Sequence, residues 1–96
     1  MLLLKAVLVE FIGTFFFLSV ILNAVANASL GPIAVAVGLL AAIYFGGAIS
    51  GGHFNPAVSL MMFVKGTIKP DVFILYILSQ IVGALVALAL NNYLVG

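Results

Sequence analysis

The sequence predicts an all-α integral membrane protein built from three transmembrane helices and one re-entrant half-helix. Three observations lead there. The 96 residues are 67% hydrophobic and 5% charged, with a mean hydropathy of +1.48, where a soluble domain carries ~45–50% apolar and ~25% charged residues. A soluble chain this short exposes most of its side chains, because surface grows relative to volume as chains shrink, so lipid has to be the solvent. Three apolar stretches, roughly residues 2–23, 30–49 and 72–94, each approach the ~20 residues a helix needs to cross a ~30 Å hydrocarbon core. Between the second and third stretches, within residues 50–65, a glycine-rich loop leads into a shorter apolar segment, and residues 1–96 read as a single unit.

The first span opens with Met1-Leu2-Leu3-Leu4-Lys5, which has the outline of a signal peptide ending near Ala26-Asn27-Ala28. Glu10 interrupts that outline, and the stretch from Phe11 onward reads better as a full span. The linker that follows is short and holds the sequon Asn27-Ala28-Ser29, too close to both spans to be used. Gly31-Pro32 then opens the second span, since proline's fixed φ and missing N–H suit the first turn of a helix. Spans joined so tightly form an antiparallel pair.

The segment Ser50 to Pro70 contains the unusual residues. Asn55 suits a helix N-cap and Pro56 the first helical position, while Gly66 and Pro70 read as stop signals. About nine residues from Pro56 give about 13 Å of helix, roughly half the hydrocarbon thickness. Leu60-Met61-Met62-Phe63-Val64 has no polar face to keep in water, which argues against an interfacial helix. Non-helical backbone at membrane depth is tolerated only where protein buries it or where it lines a water-filled cavity. A half-span therefore implies a cavity.

Packing signals lie in the second and third spans. Gly38, Ala42 and Gly46 repeat at spacing four, as do Ser79, Gly83 and Ala87, and such small-residue stripes let helices approach closely in lipid. Glu10 is the one acid inside a span, and an ionised carboxylate near the bilayer centre costs at least ~2.5–3.5 kcal/mol. It needs donors, which the N–H groups of the glycine-rich loop can supply together with His53. Glu10 is thus expected to brace the loop, and Gln80 in the third span needs an internal partner too.

Several function classes are excluded. Without cysteine there is no disulfide or thiolate nucleophile, and a single histidine leaves no metal site to complete. The net charge of +1 is far too small for a nucleic-acid footprint. Glu10, His53, Asp71 and the hydroxyls show no spacing that assembles a nucleophile and base, so neither catalysis nor a cofactor is expected.

The run Ser50-Gly51-Gly52-His53-Phe54-Asn55-Pro56-Ala57-Val58 resembles the first Asn-Pro-Ala loop of the aquaporin and glycerol-facilitator family, the major intrinsic proteins. The likeness extends to Glu10-Phe11-Ile12-Gly13-Thr14-Phe15 and to Gln80-Ile81-Val82-Gly83, at places where the family's amino-terminal half carries similar residues. The resemblance implies half of an inverted-repeat fold that passes water or small uncharged solutes such as glycerol. It implies that Gly51, Gly52, His53 and Phe54 offer backbone carbonyls to a single file of solute, that Asn55, followed by Pro56 and Ala57, donates hydrogen bonds at the pore centre, and that Glu10 and Gln80 brace the loop. It further implies an inverted second copy with its own Asn-Pro-Ala loop, and these 96 residues contain one such loop. The family's second loop also carries an arginine, whereas this chain has none, and the family's bulky filter position falls near the small Val35. A wider, less selective passage is the expectation.

Lys5 precedes the first span, and Lys65 and Lys69 follow the half-helix, so a re-entrant loop puts all three on one side of the membrane. The positive-inside rule makes that side cytoplasmic, with the amino terminus inside and Gly96 outside. The expected partner is an inverted second copy in a homo-oligomer, as fused inverted repeats occur in many transporters. The alternatives are an amino-terminal half that belongs to a larger product or pairs with a separate complementary channel half, or a non-conducting module that associates with a complete channel.

Overall fold

The computed structural model describes residues 2–95; the expectation for Gly96 lies outside the described residues. Four helices follow in order: α1 (Leu2–Ala24), α2 (Gly31–Ser50), α3 (Pro56–Lys65) and α4 (Pro70–Val95). Three are long and apolar enough to cross a membrane, at 23, 20 and 26 residues, and the longest extent of the molecule is 38 Å. The half-helix α3 has 10 residues, about 15 Å at 1.5 Å per residue.

Local chemistry sets these boundaries. Between α1 and α2, the Asn27 side-chain oxygen accepts from the N–H groups of Ser29 (3.1 Å) and Leu30 (2.7 Å), closing a turn that delivers Pro32 into the first turn of α2. Helix α2 ends at Gly51, whose φ of 93° is the left-handed conformation that terminates helices and favours glycine. Asn55 caps α3, accepting from Ala57 N–H at 2.8 Å, and Gly66 ends it at φ 89°. Pro70 does not act as the expected stop: Gly66 alone ends α3, and Pro70 is the first residue of α4. The reason is steric, since a proline lacking N–H costs nothing at a helix start, and the Lys69 carbonyl already accepts from Phe73 N–H at 2.9 Å.

Helix α1 runs between α2 and α4 and packs against both, while α3 packs against α4. Among the described residues the α2 and α4 backbones stay apart, and the Tyr76 side chain reaches across to the Ser50 carbonyl. Both small-residue stripes face α1. A Cβ added at Gly38 would stand 3.1 Å from Val20, one at Gly46 would overlap Val9, and Ala42 is buried with Val9 and Phe54. On the other side, a Cβ at Gly83 would lie 2.9 Å from the Phe11 carbonyl oxygen. Phe63 and Phe73 stack with centroids 4.6 Å apart, fixing the far end of α3 to α4.

The burial pattern is inverted relative to a soluble domain. Leu8, Ile43, Leu78 and many other large apolar residues are exposed, while Glu10, Thr14, Ser50, His53, Ser59, Ser79 and Gln80 are buried. This follows from the solvent: apolar side chains gain little by leaving lipid, whereas polar groups have to find partners inside.

Candidate functional site

Residues 51–55 connect α2 to α3, and their shape is set by one side chain. Glu10 is fully buried on α1 and accepts four hydrogen bonds. Its Oε2 accepts from Ser50 Oγ at 2.7 Å and from His53 N–H at 3.1 Å; its Oε1 accepts from Phe54 N–H at 2.8 Å and from Gln80 Nε2 at 2.9 Å. All four partners are donors, which is what a carboxylate, able only to accept, requires.

The loop N–H groups that serve Glu10 are those of His53 and Phe54, and the glycine N–H groups are used elsewhere. Gly51 N–H reaches the Gly47 carbonyl at 2.8 Å and Gly52 N–H reaches Ser50 Oγ at 3.1 Å. The physical reason is that both glycines turn the chain at positive φ, 93° and 65°, so their N–H groups point back toward α2, and the next two residues present theirs to Glu10. Nor does the His53 ring hydrogen-bond to Glu10. Its Nδ1 lies 2.8 Å from Ser59 Oγ, and the ring meets Tyr76 edge-on at 5.1 Å.

A second tier holds these groups. Gln80 Nε2 bonds both Glu10 and Ser59 Oγ (2.8 Å), and Tyr76 OH donates to the Ser50 carbonyl at 2.6 Å. Ser59 Oγ thus accepts from Gln80 and links it to His53 Nδ1, the direction of that second bond being set by the His53 tautomer. The sequence alone assigns Ser59 and Tyr76 no part in the site, and Ser50 only a place at the head of the loop. A signal existed: Ser59 lies four residues after Asn55 and Tyr76 four before Gln80, and residues four apart share a helix face.

Phe54 is the one described non-glycine residue at positive φ, 51°. A bulky residue there is strained and persists only when its surroundings fix it. Its N–H is held by Glu10, and its buried ring packs where a Cβ on Gly13 would overlap it. Asn55, Pro56 and Ala57 are exposed, and Asn55 Nδ2 makes no hydrogen bond within the described residues. Asn55, Pro56 and Phe54 border a cavity of ≈ 510 Å³ together with Thr14, Phe17 and Gln80. Val35 lies elsewhere, in a cavity of ≈ 520 Å³ shared with Val25 and Asn27 beside the α1–α2 linker. Among the described residues no three His, Cys, Asp or Glu side chains come together to hold a metal ion.

Three spanning helices around a polar interior, with a half-helix entering from one side, define a multi-pass membrane protein with a re-entrant loop. The chain belongs to the Major intrinsic protein family, which it matches over residues 1–95. It is 43% identical over 91 residues to the glycerol uptake facilitator protein-like 6 of Lactiplantibacillus plantarum, covering 90% of this chain and 42% of that protein. It is 40% identical over 95 residues to aquaporin-9 of Homo sapiens (88% of this chain, 32% of that one). With aquaporin Z of Brucella melitensis the identity is 41% over 91 residues (84% and 40%). The chain thus spans about a third to two-fifths of the length of these relatives. No solved structure gives a significant match.

Proposed function

We propose that the chain is one half of a membrane channel for passive passage of water or small uncharged solutes such as glycerol, completed by an inverted second copy. The observation that supports this best is Asn55. Its oxygen caps α3, its Nδ2 has no partner within the described residues, and the residue borders the ≈ 510 Å³ cavity. A half-helix N-terminus carries about half a positive charge. A neutral oxygen can accept from Asn55 Nδ2, whereas a cation meets an electrostatic barrier there. In this reading Gly51, Gly52, His53 and Phe54 turn backbone carbonyls toward a single file of solute. Pro56 and Ala57 form the tip that meets the partner, Glu10 and Gln80 brace the loop, and Val35 contributes to the filter. No catalysis and no cofactor are involved.

The need for a partner follows from exposure. Loop backbone at membrane depth has to be covered by protein or water, and in the isolated chain Asn55, Pro56 and Ala57 are uncovered. A second copy in the opposite orientation, giving a homo-oligomer, supplies that cover. The greater length of the relatives favours a second reading, in which a separate complementary half takes the same place.

Osmotic shock of proteoliposomes containing only this chain tests the proposal. They are expected to change volume faster than empty vesicles, and equal rates would count against a self-sufficient channel. The N55D variant retains the cap oxygen, so the fold is expected to survive. Its negative charge and lost donor are expected to lower solute flux or admit cations, and unchanged flux and cation exclusion would remove Asn55 from the pore.

A further inference from the structure

The bracing network leaves two unpaired polar atoms on residues that line the same cavity. Gln80 Nε2 spends both of its N–H groups, on Glu10 Oε1 and Ser59 Oγ. Turning the amide over would set its oxygen against a carboxylate that has no proton to give, so one orientation is fixed. In that orientation Gln80 Oε1 is buried without a hydrogen-bond partner. One other described side-chain polar atom is in the same condition: Thr14 Oγ1. Both residues are 1% exposed, and both line the ≈ 510 Å³ cavity beside Asn55.

Their positions are complementary. Thr14 stands one turn after Glu10 on the same face of α1, and Gln80 reaches Glu10 from α4. The helices approach closely just beyond that point, where a Cβ on Gly83 would stand 2.9 Å from the Phe11 carbonyl oxygen and 3.4 Å from Thr14 Cβ. Their chemistry is complementary too, since an amide oxygen can only accept and a threonine hydroxyl carries a proton to donate. Threonine in a helix divides between two χ1 rotamers, so turning the hydroxyl toward α4 needs no backbone movement.

We propose that Thr14 is a positioning residue of the loop: its hydroxyl donates to Gln80 Oε1 and locks the amide in the one orientation that serves Glu10 and Ser59. The network then has no unpaired buried side-chain atom among the described residues. Thr14 thereby acts on the Asn55 loop at third hand, through Gln80 and Glu10, and it does so whether or not the chain conducts.

Gln80 is the single glutamine in the chain, so its side-chain carbonyl carbon, labelled with carbon-13, gives one nuclear magnetic resonance signal in detergent micelles. Hydrogen bonding deshields a carbonyl carbon. The T14V variant, similar in shape, is expected to move this signal upfield and T14S to keep it near the wild-type position; T14A replaces T14V where the latter does not fold. An unmoved signal in the variant without a hydroxyl overturns the proposal. The wild-type chain gives an independent reading through the Thr14 χ1 angle from three-bond couplings. A hydroxyl facing α4 supports the proposal, and one pointing back along α1 at the Glu10 carbonyl overturns it.

Discussion

Glu10 joins α1 to the end of α2, the loop and α4, through partners 40 to 70 residues away in sequence. The E10Q variant has nearly the same shape but replaces one acceptor oxygen with an amide whose protons face donors. Hydrogen bonds to charged groups contribute about 1.5–3 kcal/mol each, so losing two of four is expected to destabilise the fold by at least about 2 kcal/mol. Equilibrium unfolding in mixed micelles measures this, and a loss below about 0.5 kcal/mol, the usual range for unimportant substitutions, would contradict the bracing role. Phe54 makes the same point from the backbone. Its positive φ is sustained by a hydrogen bond to Glu10 and by ring packing on Gly13, so the conformation of the residue before Asn55 depends on α1.

Among the helices, α1 is the common support and small residues set how closely its neighbours approach. Gly83 is pressed against the backbone of α1: a Cβ there would stand 2.9 Å from the Phe11 oxygen and 3.3 Å from the Phe15 nitrogen. Backbone atoms inside a helix cannot rotate away, so G83A is expected to push α4 outward and cost roughly 1–3 kcal/mol, as overpacked cores do. Because Gln80 lies one turn earlier on α4, the same variant is expected to loosen its hold on Glu10. Gly66 offers a contrast. Nothing lies within 4 Å of a Cβ there, so G66A meets only the strain of φ 89°, and a smaller loss on the order of 1 kcal/mol is expected. Thermal unfolding of the two variants side by side checks the order.

For the assembled protein the decisive property is orientation. An antiparallel pair requires chains inserted both ways, while Lys5, Lys65 and Lys69 favour one way, with the amino terminus cytoplasmic. A cysteine placed by N92C, at an exposed position near the end of α4, reports the outcome because the chain has no other cysteine. With pairing as proposed, a membrane-impermeant reagent is expected to label part of the population in intact cells and the remainder only after permeabilisation. Labelling confined to one population would remove the homodimer and leave the complementary-half reading.

The spans, the half-helix and its caps were legible in the residues because each depends on neighbours a few positions away. Hydropathy over ~20 residues identifies a span, and Asn55-Pro56 and Gly66 act within single turns of chain. Glu10's need for donors was legible too, since a lone carboxylate in lipid requires them wherever they come from. The particular donors were not. That His53 and Phe54 N–H serve Glu10 while the glycines face α2, that Ser59 and Tyr76 join the network, and that Thr14 and Gln80 line one cavity all follow from α1 lying between α2 and α4. No short-range preference encodes that arrangement, because it is fixed by small-residue stripes and polar pairing between segments far apart in the chain. Pro70 shows the same limit locally: proline marks a boundary in any sequence, and only the fold reveals on which side of it the helix lies.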